Sequence, residues 1–204
     1  MKKRSVLILA AALVVLLAAA GFLYTRLAPN AGGNTLAGTQ DSSSSQSSQE
    51  QEDTSKQSNP APSFSMEDQE GNTRELSEFL GEKPVYLNFW ASTCGPCKSE
   101  MPDIHALYQL YGEDIHFILV NVGPAMGDTR EQAEAYLEEE CFTFPVYYDV
   151  DYQAITTYGI NSFPFSIFID AEGNLITYGQ GLLSRELLEK GLNMIAPDTV
   201  PAPD

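Results

Sequence analysis

The 204-residue sequence predicts an α/β fold, a mixed central sheet flanked by helices. Three observations predict it. Pro84 to Trp90 and Ile115 to Val122 are almost wholly apolar, as strands buried on both faces of a sheet are. Each is followed by a helical stretch, Cys94 to Tyr111 and Thr129 to Glu140. Two further runs, Phe165 to Ile169 and Leu175 to Gln180, face each other across Ala171-Glu172-Gly173-Asn174, which is hairpin chemistry and adds antiparallel pairing.

In chain order, Phe64 to Asn72 alternates weakly and ends on the turn signal Glu70-Gly71-Asn72, so an N-terminal hairpin is expected. Glu75 to Leu80 is a short helix stopped by Gly81. Pro84 to Trp90 is the central strand. In the helix after it, Ile104, Leu107, Tyr108 and Tyr111 share one face. Pro102 falls inside that helix, where it removes a hydrogen bond and predicts a kink. Gly123 to Asp128 reads as a loop, and Asp128 or Thr129 as the next N-cap. Glu138-Glu139-Glu140 is a solvated helix face. Val146 to Asp149 is a short strand and Tyr152 to Tyr158 a short helix. Ser184 caps the last helix, which runs to about Ile195.

The chain carries 28 acidic and 11 basic residues, a net charge of −17. Such a chain is a poor partner for nucleic acid, because phosphate binding needs basic patches. The acidity serves solubility or the electrostatic choice of a partner. At the N-terminus Lys2-Lys3-Arg4 precedes an unbroken apolar or small run from Val6 to Leu23. That is about 18 residues, enough to span a bilayer as a helix. The basic cluster puts the N-terminus in the cytoplasm, with Tyr24 and Arg26 at the far interface. Residues 1–27 are therefore expected to be a basic tip and a single-pass signal-anchor in the cell membrane. A cleaved signal peptide is the rival, since Ala18-Ala19-Ala20 offers a cleavage site. Either way the rest of the chain is exported. Residues 28–62, rich in Ser, Gln, Gly and Asn, predict a disordered linker with a root-mean-square span of roughly 30–35 Å. Residues 63–196 are the expected domain. Residues 197–204, with Pro201 and Pro203, are an expected disordered tail.

The chemistry-bearing stretch is Trp90-Ala91-Ser92-Thr93-Cys94-Gly95-Pro96-Cys97. It lies where the central strand gives way to a helix. Free amide N–H groups and the helix dipole favour the thiolate of Cys94. Cys94 is the expected exposed nucleophile. Cys97, about one turn on and within disulfide reach of Cys94, is its sheltered partner. A structural zinc site normally needs four ligands, and only Cys141, His105 and His116 remain, so no metal is expected. Redox exchange is preferred over a structural disulfide. His105 and His116 read as structural, and Cys141 as an unpaired buried cysteine.

Asn88-Phe89-Trp90-Ala91 followed by Cys94-Gly95-Pro96-Cys97 resembles the active-site signature of the thioredoxin-like superfamily. Gly159 to Asp170, with Phe163-Pro164, resembles the cis-proline loop of the same fold and the strand after it. Together with the N-terminal segment, the spacing is similar to the ResA/TlpA-like branch, AhpC/TSA-redoxin-like proteins that are membrane-anchored thiol-disulfide oxidoreductases. The resemblance implies a thioredoxin-like fold, with the helix-strand-helix stretch after Val122 as the branch's insertion. It implies that Cys94 attacks the substrate disulfide and Cys97 resolves the mixed disulfide. In the branch a Glu three residues after the second Cys serves the disulfide, and its counterpart is Glu100. Thioredoxins commonly place an Asp where this chain has Asn88, which takes no proton. Pro164 is the expected cis proline facing the disulfide, and Phe163 stands where Thr or Val is usual. Thr93 stands where many relatives carry Trp. Trp90, Thr93, Gly95, Pro96, Phe163 and Pro164 are the expected substrate contacts, though Trp90 also reads as packing beside the site. Lys98 either supports the thiolate or is an ordinary exposed lysine.

The resemblance also implies direction and partners. Gly95-Pro96 is the dipeptide of low-potential thioredoxins, so reduction of exported proteins is expected. Apocytochrome c is one such substrate and a methionine sulfoxide reductase another. A CcdA- or DsbD-like membrane protein would supply electrons. No cofactor is expected, and the protein is expected to be a monomer. A disulfide oxidant or isomerase is the main alternative. A peroxidase lacks its usual Cys context here, and a copper-delivery protein lacks a histidine near the Phe163-Pro164 loop.

Overall fold

A computed structural model describes residues 36–38 and 58–203. The signal-anchor expected at residues 1–27 lies outside the described residues. Among the described residues no helix is long and apolar enough to cross a membrane.

The strands are β1 (Leu36–Gly38), β2 (Ser65–Glu67), β3 (Thr73–Glu75), β4 (Val85–Trp90), β5 (His116–Asn121), β6 (Val146–Tyr148), β7 (Phe165–Ile169) and β8 (Leu175–Gln180). They form one sheet in the order β1-β8-β7-β4-β5-β6-β2-β3. β4, β5 and β6 run parallel, while β7 pairs antiparallel with β4 and β8. The sheet is thus mixed, as the alternation of buried runs and the terminal hairpin predicted. The helices are α1 (Gly95–Tyr111), α2 (Gly123–Met126), α3 (Arg130–Glu139), α4 (Gln153–Thr157) and α5 (Arg185–Ile195), with a 3-10 turn at Leu76–Phe79.

β4 is buried at every position, so its period-two alternation divides two cores. Val85, Leu87 and Phe89 pack with Phe64, Met66, Leu76 and Ile167 on one face. Tyr86 and Trp90 pack with Met101, Ile104 and Leu107 of α1 and with Leu188 and Leu192 of α5 on the other. Asn88 shares the α1 face, and that parity places it under the active-site helix. α1 continues through Pro102. α3 is started by Thr129, whose hydroxyl accepts from the Gln132 N–H while the Gln132 side chain accepts from the Thr129 N–H. Asp128 is therefore not the cap.

Four boundaries differ from expectation. The Gly123–Asp128 loop contains α2, which ends where Gly127 turns left-handed at φ 66°. Leu36–Gly38, inside the expected linker, pairs with Thr177–Gly179 of β8. The ordered domain starts earlier than residue 63, because Leu175 and Ala61 donate to the Asn59 and Gly173 carbonyls and Ala61 is buried. The expected loose tail is docked: Val200 is 1% exposed, and Asn193 Nδ2 donates to its carbonyl at 2.6 Å. An apolar side chain four residues past Ala196 can still be buried when the chain turns back.

Candidate active site

β4 ends at Trp90, and Ala91–Thr93 carries the chain to α1 with Cys94 as its N-cap. Cys94 has an extended backbone, φ −89° and ψ 105°, and its Sγ accepts from the Cys97 N–H at 3.2 Å. This sulfur therefore occupies the usual position of a capping oxygen, at the positive end of a 17-residue helix. Pro96 lies in the first turn, where a missing N–H costs nothing. Cys94 and Cys97 are joined as a disulfide with a Cα–Cα distance of 5.2 Å. The expected contrast in exposure is small here. Cys94 is 5% exposed and Cys97 1%, because the bond draws both sulfurs against the core under α1.

Glu100 is one turn beyond Cys97 and only 1% exposed, so it is not an ordinary surface glutamate. Its Oε1 accepts from Asn88 Nδ2 at 3.0 Å, and its Oε2 from the Leu183 N–H at 2.6 Å. Burial pushes its carboxyl up to about 7, against the pull of those two bonds. Asn88 Nδ2 also lies 3.1 Å from Ser166 Oγ and 3.3 Å from Tyr86 Oη, and the two hydroxyls are 3.0 Å apart. The Asn88↔Ser166 pair of β4 and β7 sets this cluster. Tyr86 and Ser166 were not legible as site neighbours, because only strand register brings them to Glu100.

The Phe163–Pro164 peptide bond is cis. Pro164 is buried and its carbonyl accepts from the Gly181 N–H at 2.8 Å. Phe163 is half-buried and packs against both cores. The β4–β7 ladder ends at Phe89↔Phe165, so Trp90 and Pro164 sit at the same end of the sheet. Thr93, Gly95 and Pro96 are exposed around the disulfide. Trp90, an expected substrate contact, is fully buried with its ring 6.1 Å from Tyr136. It supports the site from beneath and has no surface to offer. Lys98 is exposed and holds its Nζ 4.5 Å from the Tyr136 ring centroid. His105 bonds Thr143 Oγ1 at 3.1 Å and packs on Phe142 and Phe144. Cys141, expected to be buried, is exposed at the end of α3 with φ 56°.

The AhpC/TSA family profile matches residues 58–178, which include the cysteine pair, Glu100 and Pro164. The chain belongs to the AhpC/TSA family. A thiol-disulfide oxidoreductase ResA of Geobacillus thermodenitrificans is 33% identical over 138 residues, 67% of this chain and 76% of that protein. ResA of Bacillus thuringiensis subsp. konkukian is 36% identical over 138 residues, 67% and 77% of the two chains. The crystal structure of StoA from Bacillus subtilis superposes with a TM-score of 0.55 at 25% identity, covering 65% of this chain and 96% of that one. This AhpC/TSA-family protein is a thiol-disulfide oxidoreductase with a thioredoxin-like fold.

Proposed function

We propose that the protein reduces disulfides of exported proteins, apocytochrome c among them, from a membrane tether on the extracytoplasmic side. In the reduced protein the Cys94 thiolate attacks one sulfur of a substrate disulfide and the other leaves as a thiolate. Cys97, deprotonated, then attacks Cys94 Sγ. The second substrate thiolate leaves, and the Cys94–Cys97 disulfide forms. Two electrons pass to the substrate, whose thiolates take up two protons. A CcdA- or DsbD-like membrane donor would return the two electrons.

The observation that carries this reading is the buried Glu100 carboxyl one helical turn from Cys97, pushed up to about 7 by burial. In this reading it takes the Cys97 proton when the mixed disulfide is resolved. Gly95, Pro96 and Thr93 offer the exposed surface around the cysteines, and half-buried Phe163, before the buried cis Pro164, adds a smaller part. The Lys2-Lys3-Arg4 cluster and the Val6–Leu23 run support the tether. Equilibration of the cysteine pair with thiol buffers tests the direction. A reduction potential near about −250 mV or lower is expected for an electron donor to other proteins. A value of about −120 to −180 mV, the range of oxidants and isomerases, would overturn it.

A further inference from the structure

We propose that Asp128 is a positioning residue for thiol-disulfide exchange, its buried carboxylate latching the segment that carries Cys94 to the loop after β5. Ala91–Thr93 belongs to neither β4 nor α1, and its conformation decides where the Cys94 sulfur points. Within the segment itself the backbone bond is Cys94 N–H to the Ala91 carbonyl at 3.1 Å. The other anchors cross to a stretch more than thirty residues away in sequence. The Ser92 N–H donates to Asp128 Oδ2 at 2.6 Å, and Ser92 Oγ donates to Asp128 Oδ1 at 2.6 Å. Thr93 Oγ1 donates to the Met126 carbonyl at 3.2 Å.

The latch is itself held rigidly. Asp128 is 6% exposed and Asn121 1%. Asn121 Nδ2 donates to Asp128 Oδ2 at 3.2 Å, and Asn121 Oδ1 accepts from the Gly123 N–H at 2.9 Å. The Asp128 N–H donates to the Gly123 carbonyl at 3.0 Å. A Cβ on Gly123 would meet Asn121 Oδ1 at 2.8 Å and the Asp128 carbonyl oxygen at 2.9 Å, so only glycine closes this cluster. Among the described residues no Lys or Arg pairs with Asp128. The carboxylate spends its bonds on neutral donors, two of them from Ser92. A carboxylate is suited to this task because both oxygens accept at once, and bonds to a charged acceptor are short and about twice as strong as neutral ones. An amide at 128 would accept through one atom only. A general brace for the turn would need no such grip on the residue two positions before the attacking cysteine.

The latch rests on the thiol-disulfide exchange read above from the ResA relatives. The test compares the purified full chain with Asp128→Asn, Ser92→Ala and the double variant. Three quantities are read: the second-order rate at which the reduced protein cleaves an aromatic disulfide reagent, the equilibrium constant against glutathione, and the thermal midpoint of the oxidised form. Ser92→Ala keeps its backbone N–H and should fold whatever Asp128 does. The expected result is a rate at least tenfold lower for Asp128→Asn and about threefold lower for Ser92→Ala. The double variant should be no slower than Asp128→Asn, and the glutathione equilibrium should move in the same variants. Rates within twofold of the parent overturn the latch. So do losses that multiply in the double variant, or that disappear when a stabilising osmolyte restores the thermal midpoint. A parent chain with no exchange activity would instead overturn the proposed function.

Discussion

Glu100 carries the clearest consequence at the scale of one residue. Its carboxyl is buried, so the folded protein holds that proton up to about 7 while the unfolded chain releases it near 4.5. The resulting stability is full below about 4.5 and is lost as pH rises toward about 7. Denaturant titrations of the oxidised protein at pH 5 and pH 8 should show a loss of about 2.5 kcal/mol that Glu100→Gln removes. On the proposed mechanism the same substitution leaves Cys97 without its proton acceptor. Resolution of a mixed disulfide should slow about tenfold or more at pH 8, and the rise in rate between pH 6 and 8 should flatten. Stopped-flow kinetics across that interval checks it, and unchanged kinetics would remove Glu100 from the mechanism.

At the scale of the element, α5 lies unusually close to the sheet. A Cβ on Gly191 would fall 2.4 Å from Phe168 Cε1 and Cζ, and Phe168 is fully buried with no room to retreat. Ala normally favours a helix over Gly by about 0.5–1 kcal/mol. Here Gly191→Ala should instead destabilise the fold by about 1–3 kcal/mol through overpacking. At the N-terminus of α5, Ser184 Oγ accepts from the Leu187 N–H at 3.4 Å. Ser184→Ala should cost about 1 kcal/mol. Thermal midpoints of the two variants would separate a packing constraint from a capping one.

The whole molecule adds consequences that no single helix carries. Val200 belongs to the same core as Trp90 and Met101, so the C-terminal segment is part of the domain. Ending the chain after Ala196 should cost about 1.5–3 kcal/mol, the worth of one buried valine, and lower the thermal midpoint. The proposed tether makes a prediction at the same scale. The full chain should fractionate with membranes and retain Met1, whereas a soluble mature protein beginning near Gly21 would show that the segment is cleaved.

Contiguous residues were enough for much of this protein. The buried runs of β4 and β5, the β7–β8 hairpin, the Ser184 cap and the cysteine pair at a helix start are each written within a few neighbouring positions. Their physics is local: side-chain alternation, capping and turn chemistry act over one turn or one strand. What remained hidden depends on which strand lies beside which. Spacing allowed Glu100 on the face of Cys97, but its burial depends on Asn88 and on Leu183, 83 residues away. Asp128 looked like a cap until the fold brought Ser92 within 2.6 Å across 36 positions. Trp90 read both as a contact surface and as packing, and only the fold, with α1 and Tyr136 over it, decided for packing. Val200 looked frayed because its partners are spread over the chain. Burial and charge burial are sums over distant neighbours, so they appear only when the sheet assembles.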